Sequence, residues 1–249
     1  MTPMDESVSP RRDELPLALL AYAVALALFL LVPPFLKQRV GPPEGFTLQE
    51  ATDLLTPLVV IPLAWLVFHR AGRLGRPGFV LFLVAAVAWV DAHGIHLAAN
   101  AIGDAFPPGG AAAFYQTVPG DLDYWLDETL SHWLWHLAWV ALSVLVIAAA
   151  TRSRRSGTAP LGATSAAAGF LHGATFFFVT VEGVTTALGI PWSILLLAWS
   201  VVAVRRRLAR RPVVVFFLVT AVVTLSGYLA WGALNGWTLP EFSAKGLLG

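Results

Sequence analysis

The sequence predicts an all-α, polytopic membrane protein of seven transmembrane helices, N-terminus in the cytoplasm and C-terminus outside. Three observations predict it. The 249 residues are 57% hydrophobic and 12% charged, with a mean hydropathy of +0.71, whereas a soluble domain carries about 25% charged residues. Seven apolar runs stand between charged or Pro/Gly-rich punctuation. If those runs alternate across a bilayer, thirteen of the sixteen Lys and Arg fall on one side. This composition excludes an ordinary cytosolic enzyme, a disordered chain and a nucleic-acid binder of the basic-patch kind. The chain has no cysteine, which excludes a disulfide framework, thiolate metal sites and a cysteine nucleophile.

A helix needs about 20 mostly apolar residues to cross the hydrocarbon core. The expected spans are 15–36, 54–69, 78–100, 128–150, 162–182, 190–204 and 212–234. The first is distinguished from a secretion signal by its length, which exceeds the roughly 7–15-residue apolar core of such signals. No small-x-small cleavage site follows it. The second and sixth spans are short, with room to extend into their flanks. The organisation is then a cytoplasmic tail 1–14, a seven-helix domain 15–234 and an outer tail 235–249. Residues 101–127 form an outer loop that joins spans three and four and is a candidate lid, since long loops are often functional.

Orientation follows from the basic residues. The segments on the side of the N-terminus hold Arg11 and Arg12; Arg70, Arg73 and Arg76; Arg152, Arg154 and Arg155; and Arg205, Arg206, Arg207, Arg210 and Arg211. Lys37, Arg39 and Lys245 remain on the other side. Basic residues in short loops stay cytoplasmic, so the arginine-rich side is inside. The acids are distributed oppositely: only Asp5, Glu6, Asp13 and Glu14 lie on the arginine side. Glu44, Asp104 and Glu241 read as decoration of exposed outer loops. Glu50 and Asp53, where the chain enters span two, read as helix caps that could also add carboxylates to an outer vestibule.

Five of six histidines fall in the outer halves of spans three, four and five; His69, beside Arg70, reads as interfacial. His93, His96 and Asn100 are spaced i, i+3, i+7, and Glu128, His132 and His136 are spaced i, i+4, i+8, so each set shares a helix face. His172 lies among small residues, Gly169 and Gly173, which let another helix approach closely. Counted from the outer span ends at ~1.5 Å per residue, His93, His136 and His172 lie about 10, 12 and 15 Å deep. Ionisable side chains are costly within a bilayer and mark functional sites. Neutral imidazole with carboxylate is a ligand set for zinc, iron or copper.

These residues point to an outward-facing transition-metal site built by His93, His96, His132, His136 and His172, with zinc the expected ion. Asp91, Asn100, Asp127, Ser131 and Glu182 are candidates to orient the imidazoles. The expected function is metal-dependent chemistry on a membrane lipid or other lipidic substrate, with Glu128 as general base, or Glu182 in its place. A di-iron oxidation is a variant. One alternative is a haem b redox protein with axial histidines from two helices. The other is a transporter or metal-delivery protein, although the inner halves of spans three and four carry hardly any polar residue to continue a path. Seven spans with an outer histidine cluster and a His132-x-x-x-His136 pair resemble the zinc-dependent membrane hydrolases of the alkaline ceramidase and progestin-receptor type. There the pair lies on the last span, which here has no histidine, so no residue role is carried over.

Overall fold

The computed structural model describes residues 14–40, 47–106, 110–153, 162–208 and 211–247. Residues 1–13, with Asp5, Glu6, Arg11, Arg12 and Asp13, lie outside the described residues, as do Glu44, residues 107–109, Arg154, Arg155 and Arg210. The described chain is helical, with no strand, and seven helical segments are long and apolar enough to cross a membrane.

Helix α1 (Leu15–Leu31) starts with Pro16 in its first turn, where a missing N–H costs nothing, and runs into a short 3-10 turn at Pro33–Phe35. Helix α2 (Leu48–Ala71) begins six residues before the expected span. A capping box sets that start: Thr47 Oγ1 accepts the Gln49 N–H at 3.2 Å and the Glu50 carboxylate accepts the Thr47 N–H at 2.6 Å. Glu50 is therefore the cap that the sequence predicts. Helix α3 (Gly75–Asp104) is continuous through both of its histidines.

The 101–127 segment differs from the expected irregular loop. Short helix α4 (Gly110–Phe114) precedes α5 (Val118–Tyr124), which Thr117 caps by accepting the Gly120 N–H at 3.2 Å. A wide π-type turn at Trp125–Ser131 then leads directly into α6 (His132–Arg152). Val118 to Arg152 is thus one uninterrupted helical segment.

Helices α7 (Gly162–Glu182), α8 (Thr186–Arg206) and α9 (Arg211–Leu234) complete the bundle. The most extensive contacts are those of α7 with α9 and with α1; α3 packs on α6, α1 on α2 and α8 on α9. Gly169 and Gly173 leave no room for a Cβ against the α9 backbone. The Thr220 and Thr224 hydroxyls donate across that contact to the Gly169 and Gly173 carbonyls, at 3.2 and 3.0 Å, which is close packing through small residues.

Candidate functional site

A cavity of about 340 Å³ opens at the end of the bundle opposite the arginine-bearing helix ends. The C-terminal part of α1, the start of α2, the end of α3, the wide turn and first residues of α6, the end of α7 and the C-terminal tail surround it. His93, His96, His132 and His136 all line it, together with Asp53, Glu128, Glu182 and Glu241. Lys37 is the one cationic Lys or Arg side chain among the described lining residues.

Hydrogen bonds fix the ring nitrogens of these imidazoles. His93 Nε2 lies 3.0 Å from the Asp53 carbonyl, which can only accept, so Nε2 carries the proton and Nδ1 the lone pair. That carbonyl is available because Pro57, four residues on, has no N–H to occupy it. His132 Nδ1 is 3.2 Å from the Glu128 carbonyl and 3.7 Å from its carboxylate; both accept, so the lone pair is on Nε2. His136 Nδ1 is 2.6 Å from Thr185 Oγ1, whose own proton goes to the Thr180 carbonyl at 3.5 Å. The His136 lone pair is then also on Nε2. His96 donates Nδ1–H to Asp127 at 2.6 Å, and its Nε2 accepts from Asn100 Nδ2 at 3.0 Å.

Three imidazoles that line the same cavity thus have one nitrogen held by an acceptor, leaving the other as a lone pair. His93 Nδ1 and His136 Nε2 are fully buried without a partner. Each holding acceptor sits at an interruption of helix regularity: Pro57 in α2, the wide turn before α6, and the tight α7–α8 connection in which Val184 adopts φ 51°.

The remaining expected residues divide. Asp127 and Asn100 both hydrogen-bond the His96 ring. Asp91 is exposed, off the face that carries His93 and His96. The Ser131 hydroxyl bonds back to the Asp127 carbonyl and not to an imidazole. Asp53 supplies a cavity-lining carboxylate besides its carbonyl. His172 stands apart from the other four: it lines a separate cavity of about 20 Å³ with Tyr22 and Ser143. Its Nε2 accepts from Trp139 Nε1 at 2.9 Å, and its Nδ1 faces Thr220 Oγ1 at 3.4 Å. The hydroxyl passes its proton to Gly169, so both ring nitrogens are committed to helix packing. Equal depth does not imply equal azimuth, and His172 points toward α9.

Two contributors were not foreseen. The C-terminal tail folds back over the bundle end. Glu182 Oε2 accepts the Phe242 and Ser243 N–H groups at 2.8 and 3.3 Å, and Trp231 Nε1 donates to the Pro240 carbonyl at 2.8 Å. The Phe242 ring stacks on Phe178 at 4.7 Å, and Glu241 and Ser243 become cavity walls. Glu182 is thus the anchor of this strap. Beneath the histidines, Gly183 packs closely: a Cβ there would stand 3.0 Å from both the His132 and His136 rings.

Ring spacing limits what the cavity can hold as arranged. The His96 and His132 centroids are 4.9 Å apart and those of His132 and His136 6.1 Å apart. Among the described residues no three His, Asp or Glu side chains are gathered into a ready cage for an ion. Trp135 packs against His93, His96 and His136 at 5.0, 5.9 and 5.6 Å, so a flat macrocycle axial to these rings would have to displace it. No family model matches this chain, and no curated protein or solved structure is significantly similar to it. The molecule is a membrane-type seven-helix protein with a cluster of buried histidines.

Proposed function

We propose that this is an integral membrane protein whose acidic end faces outward and whose histidine cavity takes a divalent transition-metal ion, zinc first, for chemistry on a lipidic molecule. The observation that carries the reading is the nitrogen accounting: His93, His132 and His136 line one cavity, and an acceptor behind each ring leaves its other nitrogen, Nδ1 of His93 and Nε2 of His132 and His136, as a lone pair. An acceptor holding the far N–H is the usual support of a metal-ligating imidazole. The i, i+4 spacing of His132 and His136 suits a common ion. The cavity far exceeds the volume of one ion and leaves room for a substrate. Glu128, on its wall beside His132, stands where a base would act on a metal-bound water. On α6 the lining ends at His136, and Trp139 about one turn further is buried against His172, which favours a closed site over a transport path.

Metal analysis of detergent-purified protein after zinc loading and desalting tests the reading. One ion per chain is expected, lost in the His132→Ala/His136→Ala double variant and retained in His69→Ala and His172→Ala. A wild-type protein that keeps no stoichiometric metal, or variants that all behave alike, would overturn it; a Soret band in the purified protein would replace it with the haem alternative.

A further inference from the structure

The cavity has two unlike walls. Phe29, Leu30, Pro33 and Pro34 at the end of α1, with Phe178 and Val179 of α7, make an apolar side. The imidazoles and the carboxylates of Asp53, Glu128, Glu182 and Glu241 supply the polar part of the lining, Glu182 from the same helix as Phe178 and Val179. At about 340 Å³ the space falls at the small end of organic-ligand sites, roughly 300–1,000 Å³. An occupant that satisfies both walls is amphiphilic.

The polar wall is rich in acceptors, beside the donors Lys37, Gln49, Ser243 and the unpartnered Trp135 Nε1. Carboxylates only accept, the oriented imidazoles offer lone pairs, and two of those lone pairs, His93 Nδ1 and His136 Nε2, are buried without a partner. Four carboxylates against one lysine also make the lining acidic. Depth separates these groups: His93 and His136 are buried at 2% and 0% exposure, whereas the Glu128 side chain keeps 37% of its surface and Lys37 is exposed. The imidazoles form the floor and Glu128 the rim, where the strap adds Glu241. An anionic headgroup would meet repulsion from the carboxylates of this rim; an ammonium group meets attraction and donates N–H bonds to them.

We infer that the lipidic molecule of the reading above, on which this rests, carries a hydrogen-donating cation at its polar end: an alkylammonium-type amphiphile rather than a phosphate or carboxylate one. Its apolar chain lies along α1 and α7, and its cation sits between Glu128 and Glu241.

Calorimetric titration of metal-stripped full-length protein in a neutral maltoside detergent decides it, with dodecylammonium, dodecyl phosphate and dodecanoate as probes of equal chain length. Dodecylammonium is expected to bind about tenfold or more tightly than either anion, and the preference is expected to vanish in Glu128→Gln/Glu241→Gln. Either anion binding as tightly as the ammonium in wild-type protein overturns the inference without any variant having to fold. A preference that survives in the folded double variant overturns its assignment to this rim. The zinc stoichiometry is measured separately on loaded protein, so a failure here leaves the metal reading standing, and a failure there leaves this ranking intact.

Discussion

Pro57 contributes to the site through an atom it lacks. A proline inside a helix removes the N–H that would occupy the carbonyl four residues earlier, and here that carbonyl, on Asp53, holds His93 Nε2 at 3.0 Å. Pro57→Ala returns an N–H to compete for Asp53. It is expected to raise the thermal stability of α2 while weakening zinc binding by about tenfold, the cost typical of losing a group that orients a ligand; parallel melting and zinc titrations check both signs. His172 is the contrasting case, a histidine whose nitrogens are both consumed by Trp139 and Thr220. His172→Ala leaves the Trp139 N–H buried without an acceptor, which costs about 1–3 kcal/mol. The expected result is a lower unfolding midpoint in denaturant with unchanged zinc stoichiometry, and a loss of zinc would return His172 to the ligand set.

The connection between α7 and α8 concentrates three tasks in four residues: Glu182 holds the strap, Gly183 lies under two imidazoles and Thr185 orients His136. Gly183→Ala is therefore expected to lower zinc affinity by roughly ten- to a hundredfold. Gly94→Ala on α3, where a Cβ meets nothing within 4 Å, should leave zinc affinity unchanged and stabilise the helix by about 0.5–1 kcal/mol; isothermal titration of the two variants separates local collision from a general glycine effect. These elements also mark where sequence reasoning stops. Apolar runs locate every long helix, because length and hydropathy are local properties. The first turn of α2 escapes that test, since Gln49, Glu50, Thr52 and Asp53 lower its hydropathy; the Thr47-x-x-Glu50 capping box was the signal that could have placed it. Helix α5 and the wide turn escape for the same reason, although Thr117 followed by Pro119 is a readable helix start. Four imidazoles on one cavity were legible as shared helix faces. The strap was not, because its hydrogen bonds join Glu182 to residues some sixty positions away, and no periodicity encodes such a contact.

Across the bundle the two ends differ in charge, and that difference carries the sidedness on which an outward site depends. Among the described residues Arg70, Arg73, Arg76, Arg152, Arg205, Arg206, Arg207 and Arg211 gather where α2, α6 and α8 end and α3 and α9 begin; the carboxylates of the cavity lie at the other end. Arginine in short loops is retained in the cytoplasm during insertion, so the cavity and the strap are expected on the outer face. The chain contains no cysteine, which makes a single introduced thiol an unambiguous reporter. Leu247, 57% exposed beyond the strap, and Arg73, exposed between α2 and α3, provide sites at opposite ends. In intact cells a membrane-impermeant maleimide is expected to label Leu247→Cys and to reach Arg73→Cys only after permeabilisation. The reverse pattern would turn the cavity toward the cytoplasm and remove the outward-facing part of the proposal. It would leave the nitrogen accounting untouched, because the orientation of His93, His132 and His136 depends on contacts within the bundle and not on which side of the membrane the cavity opens.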